Sequence, residues 1–283
     1  MASAGPMTPA WTTSQIAGEP MLVVDHAGSG ELLLMLHGTG GCRSNWHDQL
    51  PVFGRHFHAV AWDCRGYGDS GDYEGPWLYT DLCADVLRVL RYFGAQRVHL
   101  LGLSLGGRIA LDFAIRYPGR LHSLILSDAD PGVKTIPAQE RAQFMASRKA
   151  PLLAGRELRD IAPGVADSLA GPNIAAATRE RIIDSMSRCR KGSYLKVIDA
   201  YDFDRTDDLP RVAARTLVLV GEHDRITPPA TARLISSAIP GARMVVVPQA
   251  GHLSNMENPT SFNRAVLDFL LDRSPANRSA TVN

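Results

Sequence analysis

Three polar side chains, far apart along the chain, stand where an acyl-transfer reaction would need them. Ser104 is the centre of Gly102-Leu103-Ser104-Leu105-Gly106. In such a G-x-S-x-G pattern, small residues two before and two after the serine let the backbone turn sharply enough to lift the hydroxyl above a sheet edge. The apolar run 98–103 before it reads as a strand and 107–113 after it as the body of a helix. The hydroxyl would then sit at a helix N-terminus, where free N–H groups and the positive end of the dipole favour a developing oxyanion. A turn serine with no chemistry carries the same local signature, so partners elsewhere must separate the two readings.

An alcohol is a poor nucleophile at neutral pH. It needs a base, and the base needs a carboxylate that holds its tautomer and stabilises its cationic form. With a serine of this kind the order to look for is serine, acid, histidine. Val220-Gly221-Glu222-His223-Asp224 follows one clean apolar run and Gln249-Ala250-Gly251-His252 follows the last one. We assign Asp224 as the acid and His252 as the general base. Glu222, Asp128 and Asp130 compete for the acid's place, and His223 reads as a loop residue.

The oxyanion also needs two convergent donors. One is the backbone N–H of Leu105, directly after the serine; the other comes from the loop after an early strand. That strand ends in His37-Gly38-Thr39-Gly40-Gly41, and we assign the N–H of Thr39, with Gly40 as the alternative. A phosphate-binding loop would end in G-K-[ST], which is absent. His37 is expected to hold the loop by hydrogen bonds, residues 63–70 to form a scaffold turn, and Trp46, Trp62 and Trp77 to lie in the core.

Positioning these groups on one edge requires strands that run the same way, and the chain alternates strand and helix as a parallel sheet demands. Residues 21–25, 32–37, 57–63, 98–103, 121–127, 216–220 and 243–247 read as strands, the first of them antiparallel. Helical spacing marks 81–93, closed by Gly94. It also marks the stretch after Ser104 to about 117–119, then 229–239 and 259–271. Between about 130 and 207 the strand signal disappears and helical spacing takes over, as at 174–190 and 194–201. The organisation expected is a core of 1–130 and 208–283, interrupted by a helical cap of 131–207 over the carboxyl ends of the strands, where open parallel sheets bind ligands.

The totals narrow the partners. The chain has 283 residues, 45% of them hydrophobic and 21% charged, as an ordinary globular protein does. Thirty basic against twenty-nine acidic side chains leave a net charge of +1, which offers no electrostatic case for a nucleic acid or a membrane surface; a small molecule is the expected partner. Cys42, Cys64, Cys83 and Cys189 form no C-x-x-C pair, which argues against a structural zinc site or a disulfide framework. Residues 1–13 contain no apolar signal-like stretch, and no run reaches the roughly 18 apolar residues of a membrane span, so a cytoplasmic location is expected. Both ends, to about residue 13 and beyond 273, are expected to fray.

Together these segments resemble the α/β-hydrolase family. His37-Gly38, 63–70, the Ser104 turn, 221–224 and Gly251-His252 occur in that family's order over nearly the whole chain. The resemblance implies an α/β fold with a mostly parallel central sheet flanked by helices, a Ser104-His252-Asp224 triad and an acyl-enzyme, with no metal or organic cofactor. Within the family, Asp207-Asp208-Leu209-Pro210, Thr227-Pro228-Pro229, Asn258-Pro259 through Phe269, and the spacing of Trp46 and Gln49 look like the 3-oxoadipate enol-lactonase branch, which implies a small ester or enol-lactone as substrate. Serine rather than aspartate at the turn argues against the haloalkane dehalogenases and epoxide hydrolases. Leu103 before the serine departs from the Asn usual in the carbon–carbon hydrolases of diketone-type ring-cleavage products, which weakens that reading but leaves it as an alternative. The helical segment has no tryptophan and matches the lactonases only loosely before about residue 192.

Two other readings use the same scaffold. One is a ligand sensor whose triad turns over slowly or not at all, and the other a cofactor-free enzyme that uses the histidine and aspartate for proton abstraction. Residues 133–196 carry twelve Lys or Arg against six Asp or Glu, which would favour an anionic substrate. Arg141, Arg148, Arg188 and Arg190 are candidates to meet its carboxylate.

Overall fold

The computed structural model describes residues 10–200 and 202–272. Eight strands form one sheet: β1 (Thr12–Ile16), β2 (Leu22–Ala27), β3 (Leu32–Leu36), β4 (His58–Asp63), β5 (Val98–Leu103), β6 (Leu121–Ser127), β7 (Arg215–Gly221) and β8 (Arg243–Val247). Their order is β1-β2-β4-β3-β5-β6-β7-β8. The β1–β2 and β2–β4 pairs are antiparallel and the rest parallel. The helices are α1 (Leu50–Phe53), α2 (Tyr79–Tyr92), α3 (Leu105–Arg116), α4 (Ala138–Leu153), α5 (Leu158–Leu169), α6 (Ala176–Ser187), α7 (Lys191–Asp199), α8 (Pro229–Ala238), α9 (Ser254–Glu257) and α10 (Pro259–Leu270).

Both faces of the sheet are covered, which is why its central strands are apolar without alternation. Successive side chains of a strand point to opposite faces, and β3 shows where each set goes. Leu34 and Leu36 join a cluster with Val86 of α2, Ile109 and Phe113 of α3 and Ile235 of α8. Leu33 and Met35 join another with Phe53 of α1 and Phe262 and Phe269 of α10. The helix ends follow local rules. After α2, Gly94 has φ 68, and Ala95 N–H donates to Leu90 O at 2.9 Å while Gly94 N–H donates to Arg91 O at 3.2 Å, the closure a left-handed glycine permits.

One expectation needs correcting. Thr12 and Thr13 do not fray: they begin β1 and pair with His26 and Asp25. Only Ile16 of that strand is buried, so β1 has almost no apolar pattern to read. Helices α4 and α5 were expected only as part of a generally helical stretch. Each has a proline inside it, Pro151 and Pro163, and a proline normally marks a helix boundary. The expected fraying of residues 1–9 and 273–283, and the last position of the helix expected over 194–201, lie outside the described residues. Among the described residues no helix is long and apolar enough to cross a membrane.

The strand order sets up the site. From β3 the chain goes to β4 on one side, while β5 pairs on the other, and at such a reversal a crevice opens beyond the carboxyl ends of the strands. Leu36 is in register with Gly102, so the loops after β3 and β5 emerge level with one another.

Candidate active site

Ser104 follows β5 and caps α3 with φ 54 and ψ −116, a conformation that L-residues rarely adopt and that is maintained only by surrounding structure. Its N–H donates to Ser127 O at 2.9 Å. The flanking glycines are sterically required: a Cβ on Gly102 would lie 2.1 Å from Gly106 O, and one on Gly106 would lie 2.2 Å from Leu36 O. The turn is therefore wedged between its own first helical residues and the neighbouring strand.

His252 and Asp224 come from the loops after the last two strands. His252 Nε2 lies 3.0 Å from Ser104 Oγ, and its Nδ1 lies 2.9 Å from Asp224 Oδ2. Asp224 is fixed in turn: Oδ1 accepts from the N–H groups of Ile226 at 2.8 Å and Thr227 at 3.0 Å, and Oδ2 accepts from the Thr227 hydroxyl at 2.6 Å. Burial raises the pKa of Asp224, but the His252 charge and these hydrogen bonds outweigh it and leave a net lowering. Burial likewise depresses His252, yet the Asp224 carboxylate overcomes this and its pKa ends above the ordinary 6.5. The imidazolium is thus stabilised at the position where a general base must receive a proton.

The competing acids are engaged elsewhere. Glu222 accepts from Gln249 N–H at 2.9 Å. Asp130 forms a buried ion pair with Arg108 at 2.9 Å. Asp128 accepts from Gly221 N–H at 2.7 Å and from the hydroxyls of Ser127 at 2.7 Å and Ser254 at 2.5 Å, joining the ends of β6, β7 and α9. Burial, then the charge of Asp224, pushes its pKa up to about 7. His223 lies beside Glu222 at 3.7 Å, away from the histidine–serine contact.

Across the crevice, Gly38 packs against the serine so closely that a Cβ there would lie 3.1 Å from Ser104 Cβ. Gly41 N–H donates to Gly38 O at 3.0 Å and closes a turn with Thr39 and Gly40 at its centre. Gly40 has φ 76, the value that the third residue of a type II turn needs. His37 accepts from Cys64 N–H at Nε2, 3.1 Å away, which leaves Nδ1 to donate to Gly38 O at 2.9 Å. Burial holds this imidazole below the usual histidine pKa, so it stays neutral and ties the loop to the end of β4. The 63–70 turn is likewise a scaffold. Arg43 bonds Asp63 and Asp69, and Ser70 Oγ donates to Asp63 O at 2.7 Å. Trp46, Trp62 and Trp77 are buried.

The crevice is roofed by the helices between β6 and β7. It is lined by Thr39, Ser104, Leu105 and His252 below, and by Phe144, Arg148, Ile182, Met186 and Tyr194 above. Apolar walls with a few polar groups suit a small organic molecule. The helices are tied to the loops beneath them. Ser185 Oγ of α6 lies 3.2 Å from Gly40 O, and His252 N–H donates to Leu169 O at the end of α5 at 2.9 Å.

Two residues at the site escaped the sequence reading of roles. Thr227 braces Asp224, and its hydroxyl also lies 3.3 Å from His252 Nδ1; the signal available was a threonine three positions after an aspartate, the spacing of a self-bonded turn. Arg108, one turn into α3, lines the crevice, and nothing in its helical spacing distinguishes it from a surface arginine.

A family model described as alpha/beta hydrolase fold matches residues 31–259. The provisionally named carbamate hydrolase RutD of Pseudomonas syringae pv. syringae is 30% identical over 249 residues, 84% of this chain and 93% of that protein. The 3-oxoadipate enol-lactonase 2 of Acinetobacter baylyi is 26% identical over 237 residues, 83% of this chain and 86% of that protein. Among solved structures, a thermophilic esterase from Thermogutta terrifontis, malate bound, superposes with a TM-score of 0.83 at 28% identity, covering 92% of this chain and 98% of that one.

Proposed function

Because this chain belongs to the α/β-hydrolase family, we propose that it is a serine hydrolase that opens a small carboxylic ester or enol-lactone through an acyl-enzyme. The observation that carries the reading is the continuous contact from Asp224 through both nitrogens of His252 to Ser104 Oγ, at 2.9 and 3.0 Å. These distances are what proton transfer between nucleophile and base requires.

His252 takes the Ser104 proton at Nε2 as Oγ attacks the substrate carbonyl. Asp224 keeps the other ring proton at Nδ1 and offsets the imidazolium charge. The oxyanion is held by Leu105 N–H and Thr39 N–H, with Gly40 N–H as the alternative donor. His252 then returns its proton to the leaving oxygen, and the acyl-enzyme forms. Water, deprotonated by the same nitrogen, attacks that acyl group and frees the acid. In this reading residues 131–207 act as a cap over a core of 1–130 and 208–283.

Relatives bearing names of carbamate and carbon–carbon hydrolases match about as well as the lactonase, so a substrate panel is part of the test. We expect an enol-lactone or aryl ester to be turned over faster than a carbamate or a vinylogous diketone. We expect a fluorophosphonate to label Ser104 stoichiometrically. Ser104→Ala should lose about 10³-fold or more in turnover of an activated ester, with binding kept. Wild-type rates in that variant would remove Ser104 from the mechanism, and tight ligand binding without labelling would make the protein a sensor.

A further inference from the structure

The roof of the crevice carries a charge that no carboxylate among the described residues pairs with. Half of the twelve cations between residues 133 and 196 are paired with carboxylates: Arg179 with Asp167, Arg181 with Asp48, Arg188 with Asp184, Lys191 with Glu157, Lys149 with Asp199 and Lys134 with Asp207. Two arginines line the crevice. Arg108 is matched by Asp130 through two contacts, at 3.1 and 2.9 Å. Arg148, on α4, makes no ion pair with a carboxylate among the described residues. It is nevertheless held in place. Its Nη2 donates to Ser168 Oγ at 2.9 Å, Ser168 Oγ in turn donates to Val165 O at 2.7 Å, and the guanidinium lies over the Phe144 ring, 5.2 Å from its centre.

A guanidinium has five N–H donors in a planar fork. One is used by Ser168, and the group lines the crevice with no carboxylate partner among the described residues. An oriented cation in an apolar-walled cleft, beside a neutralised second pair, leaves the cleft one positive charge in excess. A neutral ligand that covered it would bury that charge uncompensated, which is costly.

We propose that Arg148 is the specificity residue of this cleft, its guanidinium binding a carboxylate at the end of the substrate remote from the scissile carbonyl. The identity of the reaction rests on the hydrolase reading above; the binding of a terminal carboxylate by Arg148 does not. Arg141, Arg188 and Arg190 do not line this cleft. Ser168 is a positioning residue, since it acts only by holding Arg148.

The test separates binding from turnover. Calorimetry on the full chain compares glutarate with pentanoate, which match in length and differ by one carboxylate. Glutarate should bind about tenfold or more tightly, the range of a charge-assisted hydrogen-bonded pair. Arg148→Met, which keeps the unbranched apolar stem, should remove that difference, while Arg148→Lys should retain part of it. Thermal melts of each variant check that the fold is kept. In turnover, the ratio of kcat/KM for a monoaryl glutarate over the matching aryl pentanoate should fall by about the same factor in Arg148→Met. Equal binding of the two acids by the wild-type protein, or an unchanged preference in Arg148→Met, overturns the assignment of Arg148. A preference that disappears in the variant, in a protein that hydrolyses neither ester, upholds Arg148 and removes the hydrolase reading instead.

Discussion

His252 is held between opposing influences, and the balance has a sign that can be measured. Burial favours the neutral ring; Asp224 favours the cation and prevails, with Asp128 and Asp130 adding to it. Catalysis requires the neutral ring, so kcat/KM should fall as pH drops through a pKa above 6.5. Asp224→Asn removes the nearest negative charge and presents an amide N–H to Nδ1, which disfavours the productive tautomer. Its acid limb should move to lower pH, and its plateau should fall by about 10⁴-fold. A pH–rate profile of the two proteins reads both effects, and an unmoved limb would show that Asp224 does not set the charge of His252. Asp224 and His252 could be picked out by their types and by their place after apolar runs. The approach of the Thr227 hydroxyl to His252 could not, because the spacing from Asp224 marks only the local turn and the two loops meet only in the folded molecule.

The strand–turn–helix unit around Ser104 is where local pattern and structure agree best. β5, β6 and β8 begin and end at the residues the apolar runs mark; β5 and β6 are buried on both faces and stop where their apolar residues stop, while the edge strand β8 is fully buried only at Val247. The turn tolerates no side chain at its flanks. In Gly102→Ala the new methyl would meet Gly106 O at 2.1 Å and Gly107 N at 2.6 Å, both backbone atoms, so the turn itself must open. Overpacking of this kind costs about 1–3 kcal/mol, and the melting temperature should fall by a few degrees, about 2–4 °C per kcal/mol in a domain of this size class. Activity should fall more steeply than stability, because displacement of the nucleophile is magnified in rate. An alanine variant with wild-type melting and turnover would show that the turn is not under this constraint. β1 lies at the other extreme. Its polar residues are ordered by pairing with β2 alone, and pairing leaves no mark in composition.

The assembly of roof and sheet controls where the histidine loop lies. A Cβ on Gly251 would stand 2.4 Å from Gly171 N and 2.5 Å from Leu169 O, and Gly171 N–H donates to Glu257 Oε2 at 2.8 Å. The end of α5 is thus packed directly on the backbone before His252. Gly251→Ala should push the two apart and lower kcat by about 10²-fold, the cost of misplacing a catalytic group by an ångström. Circular dichroism should keep its native shape; unchanged kinetics would mean that the contact carries no positional information. The glycine before His252 is visible in the chain and reads as a tight turn. That it also makes room for a helix some eighty residues earlier follows only from the packed molecule.

Residue types and short spacings were enough to single out Ser104, His252 and Asp224 and to mark the alternation of strand and helix, because each depends on neighbours a few positions away: the small residues around Ser104, the apolar runs before Asp224 and His252. Tertiary structure alone decided that the Thr227 hydroxyl reaches His252, which of four candidate arginines meets the crevice, and that Arg108 and Asp130 cancel one another there. Those outcomes turn on distances between groups twenty or more positions apart. Charge and hydrogen bonding act through space over a few ångströms, and sequence separation carries no information about which groups will come that close.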